Sequence, residues 1–180
     1  MQKRSTVVHR VRPFFPLLAS IVFLVLLVLF LHTLSYPPVV YNATDSLPRG
    51  FYLVRPGVVY HKGQLVVCEV PEHVRELVVS RHWLKDDGLF IKTVVGMPGD
   101  RVMVQKGRFL VNDADYGPVY THDTQGRRLP MYGADAYPVD GYILAAPGKQ
   151  RSFDSRYFGP VAPNLILGEA IPLVLFEKYP

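Results

Sequence analysis

The chain of 180 residues contains a single cysteine, Cys68, which excludes an intrachain disulfide framework and any zinc cage built on thiolates. Histidine is sparse too. The six present (His9, His32, His61, His73, His82 and His122) show no paired spacing of the HExxH kind, so neither a metal site nor another cofactor is expected. No G-x-S-x-G elbow and no phosphate-cradling glycine loop occurs, which argues against an α/β-hydrolase or a nucleotide enzyme. Only 19% of residues are charged against 49% hydrophobic, and that balance excludes a disordered tail protein. With no internal repeat and a length near that of one domain, the chain reads as one folded unit.

Acidic residues are missing before Asp45, while Lys3, Arg4, Arg10 and Arg12 fall in the first 12 positions. These four account for most of the net +5, because the rest of the chain holds 16 basic and 15 acidic residues, a balance of +1. The basic excess is a short arm, residues 1–13, and the case for a nucleic-acid partner falls with it. The arm runs into Phe14 to Leu31, FFPLLASIVFLVLLVLFL, whose one polar interruption is Ser20. A helix over residues 14–36 is long enough to cross a hydrocarbon core of roughly 30 Å, with membrane lipid around it. Pro16 falls in its first turn, where a missing N–H is harmless, and Pro37-Pro38 ends it.

A cleaved secretory signal is the competing reading, with Thr33-Leu34-Ser35 as a faint cleavage site. The apolar run exceeds the usual ~7 to 15 residues of such signals, which favours a retained anchor. Basic residues on the N-terminal flank hold that end in the cytoplasm. A single-pass protein of the bacterial inner membrane is therefore expected, with residues 37–180 in the periplasm.

Beyond residue 37, short apolar runs punctuated by Gly and Pro predict strands over residues 51–55, 64–70, 89–95, 101–105, 108–111, 142–146 and 173–176. One helix is predicted from Pro71-Glu72, with Val74, Leu77, Val78, Arg81 and Leu84 on one side. Residues 112–138, polar and rich in Gly, Asp and Tyr, read as a long surface excursion rather than a second domain. The expected fold class is mainly β, an antiparallel β domain carried on a single transmembrane helix. Cys68 shares a strand face with Val66 and Val70 and reads as a packed, inert thiol.

Three segments carry candidate chemistry. Asn42-Ala43-Thr44-Asp45-Ser46-Leu47-Pro48-Arg49-Gly50 holds a serine in a turn fixed by Pro and Gly, with the Thr44 hydroxyl two residues earlier. Taken alone it is an ordinary exposed turn, and its match to a glycosylation sequon at Asn42-Ala43-Thr44 is incidental. In the segment from Phe90 to Asp100, alternation puts Phe90, Lys92 and Val94 on one strand face and Ile91, Thr93 and Val95 on the other. A lysine among apolar neighbours loses hydration and its pKa falls, which suits a general base, whereas a lysine snorkelling to the strand edge keeps its charge. The segment alone leaves both open. In Ser152 to Val161, Asp154 and Arg156 can form a structural salt bridge within a loop.

Together these segments resemble the type I signal peptidase family, the membrane-anchored Ser/Lys proteases of class S26, and most of all its conjugative-transfer branch. The resemblance covers nearly the whole chain: the anchor, the serine segment, Lys62-Gly63-Gln64-Leu65-Val66-Val67, the lysine segment ending Met97-Pro98-Gly99-Asp100, and the Asp-Ser-Arg segment. The transfer branch is similar also in Asn-x-Thr-x-Ser before Pro and Gly, and in the stretch Asp123-Thr124-Gln125-Gly126-Arg127-Arg128-Leu129-Pro130. Thr44 and Leu47-Pro48 stand where general signal peptidases have Ser and Met-x-Pro, and Thr93 stands where they have Arg after the lysine. Both departures favour the transfer branch.

The resemblance implies roles. Ser46 would be the nucleophile and Lys92 the general base, the Ser46 N–H and the Thr44 hydroxyl would hold the oxyanion, and Asp154 and Arg156 would order the walls around Lys92. It further implies a serine endopeptidase that cleaves an exported precursor, such as a pilin subunit, after small residues, in the company of other transfer-apparatus proteins. Ser46 lies ten positions after Tyr36, which suits a substrate emerging from the bilayer. The acyl-enzyme would yield to water or to the substrate's own N-terminal amine, which closes a ring. The alternatives are a housekeeping signal peptidase and, from another class, a non-catalytic scaffold for envelope assembly.

Overall fold

The computed structural model describes residues 14–33, 36–132 and 137–176, so the basic arm and two residues of the candidate cleavage site lie outside it. Helix α1 (Phe14–His32) is apolar around its whole circumference, and its large side chains are exposed. With no polar stripe it has no face to give to water, and it is long and apolar enough to cross a membrane. It stops short of the expected Tyr36. The N–H and Oγ1 of Thr33 both turn back to the Phe30 carbonyl, at 3.0 and 2.7 Å, and a residue directly before proline, here Tyr36, disfavours helical backbone.

From Pro38 onward the chain forms a separate compact unit. Its strands are β1 (Val39–Asn42), β2 (Gly50–Arg55), β3 (Leu65–Glu69), β4 (Leu89–Gly96), β5 (Arg101–Gln105), β6 (Arg108–Val111), β7 (Ala114–Pro118), β8 (Tyr137–Pro138), β9 (Ile143–Ala145) and β10 (Ile166–Leu175). Six form one sheet in the order β1-β2-β10-β3-β4-β9, four form another in the order β7-β6-β5-β8, and the pairings are antiparallel. With α2 (Glu72–Ser80) and the single turn α3 (Ser155–Phe158), the domain mixes helix and strand.

Each departure from the sequence expectation has a local cause. β10 begins seven residues before the expected Leu173, because Gly168 and Pro172 interrupt its apolar run. A Cβ at Gly168 would stand 2.6 Å from the Arg55 carbonyl, and the register against β2 shifts between Pro172 and Val174, where proline has no N–H to give. β1, hidden behind Pro37-Pro38, is an edge strand. The expected excursion at 112–138 opens with β7, joined to β6 by a tight turn at Asn112-Asp113, both at positive φ, and β8 lies near its end. α2 buries Val74 and Val78 as expected but ends at Ser80, leaving Arg81 and Leu84 in the following loop.

Two apolar clusters flank β4. Phe90 and Val94 pack into the larger one with Val66, Cys68, Val74, Val78 and Leu144, while Val95 packs into the smaller one with Val102, Phe109 and Ile143. The strand that carries Lys92 is thus covered on both faces.

Candidate active site

Lys92 projects from β4 with Val66 of β3 directly opposite and Cys68 opposite Phe90. It is 3% exposed. Burial pushes its pKa down from 10.5 to about 8; Asp154 and Cys68 pull the other way, and Arg156 adds to the fall. The ammonium is kept from the strand edge and lies 5.5 Å from the centroid of the Phe90 ring.

Ser46 arrives from the other side of the sheet order, on the loop joining β1 to β2. The neck of that loop is the pair Asn42–Gly50, and Gly50 is obligatory there, since a Cβ would stand 2.1 Å from the Val174 carbonyl oxygen. Inside this frame Lys92 Nζ lies 2.9 Å from Ser46 Oγ. It also lies 2.8 Å from Ser152 Oγ, and the two hydroxyl oxygens are 3.3 Å apart. Ser152 was not among the residues assigned a role from the sequence. Its only signal was its place two residues before Asp154, and nothing local says that a loop serine 106 positions from Ser46 turns toward the same amine.

Thr44 lies beside Ser46 along the cleft, but its Oγ1 donates to Asn42 Oδ1 at 2.8 Å. Asp154 and Arg156 are 0% and 1% exposed and pair through two contacts, Nε to Oδ1 at 2.8 Å and Nη2 to Oδ2 at 2.9 Å. The guanidinium also donates to the carbonyls of Pro118, Lys149, Gln150 and Ser152, so it spans from the end of β7 to the loop that bears Ser152. The Asp154 carboxylate accepts from the N–H of Ala146 just beyond β9 and caps α3. This pair orders a wall and touches neither hydroxyl.

Ser46, Lys92 and Ser152 line a cleft of about 780 Å³. Trp83, Phe90 and Phe153 give it an apolar side, with the Trp83 and Phe153 ring centroids 4.9 Å apart. The segment from Asp123 to Pro130 forms another side as a closed turn. Asp123 accepts from the N–H groups of Gln125 and Arg127, and Arg81, just past α2, reaches Asp123 at 3.3 Å and the Arg128 carbonyl at 2.5 Å. Cys68 stays apart from this chemistry, since burial pushes its thiol up to about 12.

A serine hydroxyl on a dry amine, at the base of an open cleft, is the arrangement of serine hydrolases that use lysine where others use histidine. The family described as signal peptidase, peptidase S26, matches residues 12–175, and the chain belongs to it; its peptidases use a Ser/Lys dyad. The chain is 30% identical over 149 residues to the conjugal transfer protein TraF of Agrobacterium fabrum, covering 76% of this chain and 82% of that one. It is 27% identical over 143 residues to the plasmid transfer protein TraF of Escherichia coli, covering 74% and 81%. To Signal peptidase I of Leptolyngbya laminosa it is 32% identical over 82 residues, 46% of this chain, and it spans only 39% of that protein.

Proposed function

We propose that this protein is a membrane-anchored serine endopeptidase, with Ser46 as nucleophile and Lys92 as general base, that matures an exported pilin-like precursor for conjugative transfer or type IV secretion. The observation that carries the reading is the 2.9 Å approach of Lys92 Nζ to Ser46 Oγ in a site dry enough to bring the amine near neutrality. The neutral amine accepts the Ser46 proton while one of its own N–H bonds stays on Ser152. Ser46 Oγ adds to the scissile carbonyl, the C–N bond breaks, and the Lys92 ammonium returns the proton to the leaving amine. Water, or the N-terminal amine of the same substrate, then attacks the ester and gives a linear or a cyclic product. Among the described residues nothing accepts from the Ser46 backbone N–H, which leaves it to bind the oxyanion, and Thr44 joins it once its hydroxyl rotates away from Asn42.

The likeness to two transfer proteins over most of their length supports transfer over housekeeping secretion. The basic arm supports a cytoplasmic N-terminus and a periplasmic cleft. Co-expression of the full chain with a pilin precursor tests the reading. Ser46→Ala and Lys92→Ala each should cut processing by at least about 10,000-fold. Intact processing by both sinks the protease assignment. A product lighter than the linear one by one water identifies ring closure, and linear product alone restricts the reaction to hydrolysis.

A further inference from the structure

Asn42 closes β1, and its side chain, 6% exposed, turns into the loop that carries Ser46. Its Oδ1 accepts from the Thr44 N–H at 3.1 Å and from the Thr44 hydroxyl at 2.8 Å. Its Nδ2 donates toward the carbonyls of Thr44, Leu47 and Pro48 at 3.2, 3.0 and 3.2 Å. The amide fits only this way round, since its reversal would set Oδ1 against three carbonyl oxygens. One side chain therefore binds backbone on both sides of the nucleophile. Strand pairing reaches the loop at its neck, and among the described residues the Ser46 hydroxyl hydrogen-bonds to Lys92 and Ser152.

We infer that Asn42 is the positioning residue for the nucleophile: its amide folds residues 44–48 from the inside and so holds Ser46 Oγ within reach of Lys92. The inference rests on the Ser/Lys reading above. The Asn42 nitrogen that a glycan would need is buried and engaged in the loop of the folded chain.

The test compares Asn42→Ala, Asn42→Asp and Ser46→Ala in the full chain, in detergent micelles, on a precursor peptide. Aspartate keeps the volume and both acceptor bonds but turns a donor into an anionic oxygen facing three carbonyls, so it carries the test if the alanine variant does not fold. Both Asn42 variants should lose about 100-fold in kcat, the loss expected when a reacting group is displaced by about 1 Å. KM should stay within about twofold, since the rest of the cleft is untouched. In Asn42→Ala the alkaline rise of activity with pH should move somewhat to lower pH, because the displaced Ser46 hydroxyl no longer accepts from the amine, while the rest of the Lys92 surroundings comes from the strands and the Asp154 loop. Wild-type kcat in both variants, or in Asn42→Ala a midpoint moved toward the ordinary lysine range as water enters, overturns the inference. Ser46→Ala separates the two claims: if it is dead while both Asn42 variants keep kcat, only the positioning role falls. If Ser46→Ala still cleaves, the Ser/Lys reading falls and this role with it.

Discussion

Lys92 projects from a strand with neighbours on both edges and apolar clusters on both faces, whereas Ser46 rides on a loop braced from inside by one side-chain amide. Each construction suits the task proposed for it. A lysine can give up its proton near physiological pH only where water is kept out, and long-range strand pairing keeps it out rigidly. A nucleophile must be met by an incoming chain, so it sits where backbone can be partly open, and its placement is left to local hydrogen bonds. Each half also contains an Asp/Arg pair, and the two pairs are opposites. Asp154 and Arg156 are buried; Asp45 and Arg49, joined at 2.6 Å on the serine loop, are largely exposed.

The largest expected effect comes from breaking the buried pair. Arg156→Met leaves the Asp154 carboxylate without its partner and four carbonyls without their donor, at a cost of about 3–5 kcal/mol in denaturant unfolding. Activity should fall with it, because the loop that presents Ser152 loses its anchor. Asp45→Ala, the matching lesion in the serine loop, should cost under about 1 kcal/mol, since its pair is open to solvent. Equal losses from the two variants would erase the distinction between the halves.

Next in size is the response of Lys92 to pH and to Ser152. With an amine near 8, cleavage should rise as pH climbs through about 8 and the base loses its proton. Ser152 Oγ accepts from the amine and so favours its charged form. Ser152→Ala should therefore move the rise to lower pH while cutting kcat by about 10- to 100-fold, the value of one hydrogen bond to a charged group. A rise displaced to higher pH would mean that the lost hydroxyl had admitted water. Stability carries the same signature with a definite sign. Between about 8 and the unfolded value of 10.5 the unfolded chain binds the proton that the folded one has released, so the Lys92 contribution to stability grows with pH across that window. Above about 9 the raised Cys68 thiol contributes with the opposite sign. Below about 8 both states hold the proton and the cost of the buried charge is constant. Lys92→Met should remove this slope from the urea midpoint.

The lysine half was also the half that sequence could describe. Period-2 alternation in FIKTVVG gave β4 to within a residue and put Phe90, Lys92 and Val94 on one face, because a central strand writes its burial into consecutive positions. β5 and β6 were equally legible, parted by Lys106-Gly107, both at positive φ. The serine half was legible only as a motif. That Asn42 builds the loop from within, and that Ser152 meets the same amine, are matters of loop geometry over distances that no periodicity encodes. β10 failed for a third reason: Gly168 and Pro172 look like breakers in the sequence, yet they are what close packing and a register shift require.

The smallest effect on activity, and the sharpest probe of dryness, is at Cys68, which faces Phe90 across the ladder next to Lys92. Its thiol is fully buried, pushed up to about 12, and uses no partner in the chemistry proposed here. Cys68→Ala should leave kcat/KM within about twofold and cost about 1–2 kcal/mol for the small cavity. Cys68→Ser fills the space but sets a hydroxyl in the apolar layer, where an unmet hydrogen bond costs about 1–3 kcal/mol. Serine should therefore be no better than alanine in thermal unfolding, although it resembles cysteine more closely in shape. If serine instead restores full stability, the layer holds a hydrogen-bond partner or water. Lys92 would then sit in surroundings wet enough to return it toward its ordinary charge, and the contrast between a dry base and an open nucleophile would fail at its base.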